Sequence, residues 1–224
     1  MFMLNLKRKH RFLLAALALS LNAPAWAASD EVEFFRAAQL DSAPYIAKLL
    51  AHGLDPNLHE PERGETGLIV ALRYDSMHTV DLLLAQPGIQ IESSAANGNT
   101  ALMMAAYRQN KAAVQTLLEK GAKVNRPGWT ALHYAAAAGA DDIIDILLQH
   151  HADINALSPS GMTPLMMAAR EGKENAVQLL LERGADASLK DGGFHLTAAE
   201  FARKADKPWI AERIDKFLAD HPGH

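Results

Sequence analysis

The stretch Gly161–Asp186, GMTPLMMAAREGKENAVQLLLERGAD, decides how this chain is read. Gly161 supplies a turn, Thr163 is a hydroxyl residue suited to capping a helix, and Pro164 has φ already set for a first helical position. Leu165, Ala168 and Ala169 then place small and apolar groups on one face of a short helix. Ala176, Val177, Leu179, Leu180 and Leu181 give a second helix its apolar side, and Gly184 stands where a left-handed stop is least strained. One such unit leaves its apolar faces bare, so it folds only against neighbours of the same kind.

Neighbours are present on both sides. The capping threonine recurs as Thr66, Thr100, Thr130, Thr163 and Thr197, at intervals of 34, 30, 33 and 34 residues. One interval upstream the slot holds Val32, and Phe34, Ala37-Ala38, Ile46, Leu49-Leu50, Gly53 and Asp55-Pro56-Asn57 keep the pattern around it. Six units follow, over 28–61, 62–95, 96–125, 126–158, 159–191 and 192–219, with 220–224 as a tail. The inner four read ETGLIVALRYDSMHTVDLLLAQPGIQIE, NTALMMAAYRQNKAAVQTLLEKGAKVN, WTALHYAAAAGADDIIDILLQHHADIN and MTPLMMAAREGKENAVQLLLERGADAS.

The shared T-x-L-x-x-A-A core, V/I-x-x-L-L second helix and G-A-D-x-N exit resemble the ankyrin repeat across nearly the whole chain downstream of residue 28. The resemblance implies an all-α repeat solenoid: antiparallel helix pairs with hairpin-like loops, stacked into a curved array. The degenerate first and last units act as caps, as terminal repeats do.

The copies also differ. The second unit leaves its second helix through Ala85-Gln86-Pro87-Gly88-Ile89-Gln90, one residue longer than its siblings. His151 replaces the stop glycine of the fourth unit, which costs strain if it adopts a positive φ. Only Arg126 and Pro127 separate Asn125 from Gly128, so that loop lacks a hairpin tip, and Trp129 follows it. In the last unit His195 takes the turn-glycine slot, and a helix over 208–218 is expected to carry Trp209, Ile210, Ile214 and Phe217 on one face.

The N-terminus has another character. Lys7, Arg8, Lys9, His10 and Arg11 precede the apolar run Phe12–Leu21 and then Ala25-Trp26-Ala27, the three-part layout of a secretory signal peptide cleaved after Ala27. The apolar run falls short of the roughly 20 residues that span a bilayer, so residues 1–27 are expected to be a removed leader rather than an anchor. A chain without cysteine cannot carry a lipoprotein anchor and suits an oxidising compartment, here the bacterial periplasm or beyond. Cleavage removes four basic residues and no acidic one, taking the formal charge from −4 to −8. That acidity argues against general nucleic-acid binding.

Catalytic patterns are missing. There is no cysteine, G-x-S-x-G elbow, phosphate-binding loop or dinucleotide fingerprint, and Gly192-Gly193 reads as turn residues. His150-His151 sit side by side at a helix end, where their side chains diverge by about 100° and do not chelate unaided. No catalytic residue, metal or cofactor is therefore expected. His133, in the T-A-L-H slot, is by the same resemblance a structural hydrogen-bonding residue between neighbouring units. The pairs Met103-Met104 and Met166-Met167 read as core filler.

The resemblance implies that partners bind to loop tips and to the exposed side of the first helices. In those slots stand Arg73, Tyr74, Tyr107, Arg108, Trp129, Met162, Arg170 and Lys204. Basic and aromatic residues concentrate there in an acidic chain, and Tyr, Trp and Arg carry interface energy most often. Ala137-Ala138 in the middle is expected to leave a shallow depression among them. The function expected is non-catalytic binding of another periplasmic protein with an acidic or mixed surface, with no nucleic acid and no membrane after cleavage. The alternatives are an immunity or inhibitor protein that blocks a toxin or enzyme and, with no pattern in its favour, a metal protein or enzyme.

Overall fold

A computed structural model describes residues 25–221 of the chain. The expected leader lies outside the described residues except for Ala25-Trp26-Ala27, which open the first helix, and residues 222–224 of the tail lie outside as well.

Among the described residues twelve helices run in six antiparallel pairs: α1 Ala25–Gln39 with α2 Ala43–Ala51, α3 Gly67–Arg73 with α4 Met77–Leu84, α5 Ala101–Tyr107 with α6 Lys111–Glu119, α7 Ala131–Ala138 with α8 Asp141–Gln149, α9 Pro164–Glu171 with α10 Glu174–Glu182, and α11 Ala198–Lys204 with α12 Pro208–Asp220. The threonines set the starts. Thr66, Thr100, Thr163 and Thr197 accept from the backbone N–H three residues on, at 3.3, 3.4, 3.2 and 3.3 Å, as N-caps do. In return the third helical residue satisfies the cap's own N–H: Met103 and Met166 through sulfur, Glu200 through its carboxylate. Val32 departs from the pattern. It sits inside α1, exposed, because that helix begins upstream of the slot where a valine has no side-chain oxygen with which to cap.

Each pair reverses through one left-handed residue, at Asp41, Asp75, Gln109, Gly139, Gly172 and Asp206. Four of the six are not glycine, and three of those are aspartates, a type that tolerates this region. His151 and His195 likewise take φ of 62° and 55° in slots that glycine fills in sister units.

First helices form one layer and second helices the other, and each helix packs chiefly within its own unit and against the next. Fully buried Ala105-Ala106, Ala135-Ala136 and Ala168-Ala169 let the first helices approach closely, while Leu83, Leu117, Ile143, Leu147, Leu180 and Ile214 fill the second layer. Met103, Met104 and Met166 are core as expected, but Met167 is only partly buried. Leu179 is also only partly buried, with Leu180 and Leu181 turned inward instead. Trp209 is 52% exposed, so the buried face of α12 is Ile210, Ala211, Ile214 and Phe217; one step of 100° from Ile210 carries the indole off that face.

Asparagines at the unit exits tie the stack together. Asn57 accepts from the Gln90 N–H at 2.8 Å, Asn125 from Asp153 at 2.8 Å and Asn155 from Asp186 at 2.9 Å, each in the next unit. Asn57 also donates to the Gly88 carbonyl at 3.2 Å, so the irregular exit of the second unit still joins this ladder. Loop tips stack by backbone bonds, Ala96 N–H to Arg63 and Gly192 N–H to Ser160. Where the loop is shortened, a side chain makes the link instead: the Arg126 guanidinium donates to the Gly98 carbonyl of the preceding unit at 3.2 Å.

Gly67 occupies the slot held by alanine or proline in the other capped units. A Cβ there would overlap the fully buried ring of Phe34, which the first cap packs against α3. Gly67→Ala should therefore destabilise by about 1–3 kcal/mol through overpacking, although alanine is the better helix former. Urea unfolding monitored by circular dichroism measures it.

Candidate functional site

On each first helix, one face looks away from the second layer. The slots expected to bind partners lie there, and so do the residues three positions earlier: Val70, Met104, Tyr134, Met167 and Phe201. The residue just before each capping threonine completes the row, as Glu65, Asn99, Trp129, Met162 and Leu196.

The eight expected residues do not converge on one site. Trp129, Met162 and Arg170 line a depression of about 300 Å³ between α7 and α9, together with His133, Tyr134, Ser160 and Met167. Arg73 and Tyr74 line a second groove of about 340 Å³ between α1 and the loop tip at 60–65, whose walls carry charges of both signs. Tyr107 joins the first group through Tyr134, with ring centroids 6.1 Å apart and edge to face. Arg108 and Lys204 line neither.

Several expected contact residues are already engaged. Arg73 is ion-paired with Glu65, whose side chain is buried, so it holds the loop tip to its own helix. Arg108 pairs with Asp75 of the preceding unit, and the hydrogen bond to that carboxylate pushes the guanidinium pKa further up. Lys204 lies over the Phe194 ring, 3.4 Å from its centroid, a cation–π contact at the last cap. Met162 is 6% exposed and forms the floor of the depression rather than its rim. The hollow also lies beside Ala137-Ala138 and not over them: the walls belong to Trp129 and Tyr134, whose bulk displaces it toward α9.

His133 anchors this region. Its Nε2–H donates to the Met162 carbonyl of the next unit at 2.9 Å, while Nδ1 accepts from the Thr130 N–H at 3.2 Å and faces the Thr130 hydroxyl at 2.9 Å. Burial pushes its pKa down, outweighing the bonds that favour the charged ring. Trp129 packs edge-on against His133, centroids 5.2 Å apart, and against Tyr134 at 6.3 Å. Tyr134 donates to Asn99 at 2.6 Å, and burial raises its pKa. At the last loop Asp191 is buried. That burial alone would raise its pKa, but N–H groups of Phe194, Leu196 and Gly193 hold the carboxylate below its usual range.

Tyr134 was not among the expected site residues and Met167 was expected as core filler, because the sequence reading followed the two slots after the Ala-Ala pair and the one before the threonine. The i, i+3 spacing that relates them to Ala137 and Arg170 was the available signal. Among the described residues no group of three His, Asp or Glu side chains comes together to hold a metal, and no helix is long and apolar enough to cross a membrane.

Comparison with known proteins agrees with the repeat geometry. The family model for ankyrin repeats (3 copies) matches residues 34–127 and 123–191. The chain is 38% identical to human "SH3 and multiple ankyrin repeat domains protein 2" over 120 residues, 52% of this chain and 6% of that protein. It is 37% identical to "Putative ankyrin repeat protein FPV031" of Fowlpox virus (strain NVSL) over 134 residues, covering 56% and 38%. It is also 37% identical to mouse "2-5A-dependent ribonuclease" over 82 residues, 35% of this chain and 11% of that enzyme. The chain thus spans only a small part of these relatives' length.

Proposed function

The chain belongs to the ankyrin-repeat family, and on that premise we propose that it is a non-catalytic module that holds one partner protein on the face of its first helices and loop tips. Ankyrin repeats bind other proteins. The observation that carries the reading is the aromatic run Tyr107, Tyr134 and Trp129, rigidly packed edge to face yet leaving Tyr107 51% exposed. Preorganised aromatics lose little side-chain freedom on binding and are the usual energetic centres of interfaces. The proposed compartment is the periplasm, reached through the leader at 1–27; the three-part layout of that segment supports it. The ribonuclease similarity covers 11% of that enzyme and carries no activity to this chain.

A photo-crosslinking residue placed at Ala137, on this face, should capture a partner that the same group at exposed Gln115 on α6 does not. With that partner isolated, Tyr107→Ala combined with Trp129→Ala should weaken binding by about thirtyfold or more, the effect of losing roughly 2 kcal/mol at a hot spot. Calorimetric titration decides. Unchanged affinity in a variant whose helical melt is intact overturns the proposal. Assaying the partner's own activity with and without the chain separates an inhibitor from a tether.

A further inference from the structure

The depression between α7 and α9 offers only two kinds of chemistry. Its polar groups are mostly engaged: both His133 nitrogens and the Tyr134 hydroxyl are hydrogen-bonded, and the Ser160 hydroxyl lies 3.1 Å from that of Ser158. What remains is an apolar lining, from Trp129, Tyr134, Met162 and Met167, and one charged side chain, the Arg170 guanidinium. Arg170 is held at 3.0 Å by Glu171, its own sequence neighbour, and lies 3.8 Å from the Met162 sulfur. Both members of that ion pair are about two-fifths exposed, and such pairs are weak enough for an incoming carboxylate to compete. The volume, about 300 Å³ and open, stands at the lower limit for a small-molecule site and suits a side chain inserted from a partner's surface.

From this complementarity we propose that the depression is an anchor pocket for one large apolar side chain of the partner, flanked in the partner's sequence by a carboxylate that meets Arg170. The proposal rests on the protein-binding reading above and gives it a chemistry. The apolar side chain loses water against Trp129, Tyr134 and Met167. The carboxylate supplies direction, because the lining carries no other charge among the described residues. A basic segment is disfavoured, since it would set a cation beside Arg170 with no free carboxylate in the lining.

The test uses the full chain labelled at methionine methyls and tryptophan indoles, titrated by NMR with acetyl-Glu-Phe-Glu-amide, acetyl-Lys-Phe-Lys-amide and acetyl-Glu-Ala-Glu-amide. Saturable shifts at Met167 and Trp129 are expected with the first peptide, about five- to tenfold tighter than with the other two. Arg170→Glu, at a partly exposed position and checked by its helical melt, should reverse the preference between the acidic and lysine peptides. Equal affinities for all three peptides, shifts confined to other methionines, no saturable shift, or an unreversed preference in Arg170→Glu overturns it. A partner captured from Ala137 alongside a failed peptide series would discard this pocket chemistry and leave the binding face standing. Loss of both would discard both.

Discussion

Leu147→Ala should lower the unfolding free energy by about 2–5 kcal/mol, the largest single loss we expect from an apolar substitution in this chain. Leu147 is fully buried in α8, and its carbonyl accepts the Ala152 N–H that closes the helix. The cost depends on how far the surroundings can collapse into the space left. Here α8 is held between α6 and α10 in the second layer and backed by α7, so little collapse is available. Position in the array adds to the effect. Because packing runs chiefly between adjacent units, weakening the fourth unit also weakens the coupling between those on either side. Ile214→Ala, equally buried but in the last unit, should instead loosen the C-terminal end before the global transition. Urea unfolding followed by circular dichroism, with hydrogen exchange to locate the loss, separates the two. A change below about 1 kcal/mol at Leu147 would contradict this packing.

His133→Ala should cost about 2–4 kcal/mol and also alter how stability depends on pH. The imidazole bonds the Met162 carbonyl on one side and the Thr130 N–H on the other, so its removal leaves the Thr130 N–H without its acceptor, the Met162 carbonyl with only the Ser158 N–H, and a hole beside Trp129. The same geometry fixes the sign of the pH effect. Nδ1 acts as an acceptor, so protonation breaks the bond from Thr130 and buries a charge. The folded-state pKa is accordingly below the ordinary value of about 6.5. Above that value the ring is neutral in both states and its contribution is complete. As pH falls below it, the unfolded chain takes up the proton first and stability declines toward the lower folded pKa, by at most about 1.4 kcal/mol per pH unit for one proton. His78 works with the opposite sign. Its bond to Asp41 at 2.6 Å raises its pKa, so its contribution is present below the ordinary value and lost as pH rises through the folded one. His133→Gln, which keeps a donor for Met162, should recover part of the alanine loss and flatten the acidic limb. Denaturation midpoints between pH 5 and 7.5 test this, and an unchanged acidic limb in His133→Gln would contradict the assignment.

The sequence by itself determined the architecture, because the devices that build it are local. Each capping threonine acts within three residues of itself, and each second helix declares its apolar side by spacing alone. Six units, their helix order and the structural role of His133 were therefore legible, while the φ of His151, left conditional by the sequence, is positive. Tertiary structure decided what the surface is. Whether Arg73 is free or locked to Glu65, whether Met162 is rim or floor, and whether Trp209 faces inward depend on how a loop tip folds back on its helix, on side chains of the neighbouring unit, or on the exact turn of a helix. Val32 kept the repeat register without the cap. The depression itself arises only when α7 and α9 pack side by side, bringing Tyr134 and Met167 of adjacent units to one wall. A repeat writes its backbone into every copy, but a site between copies belongs to no copy's sequence and exists only once they are stacked.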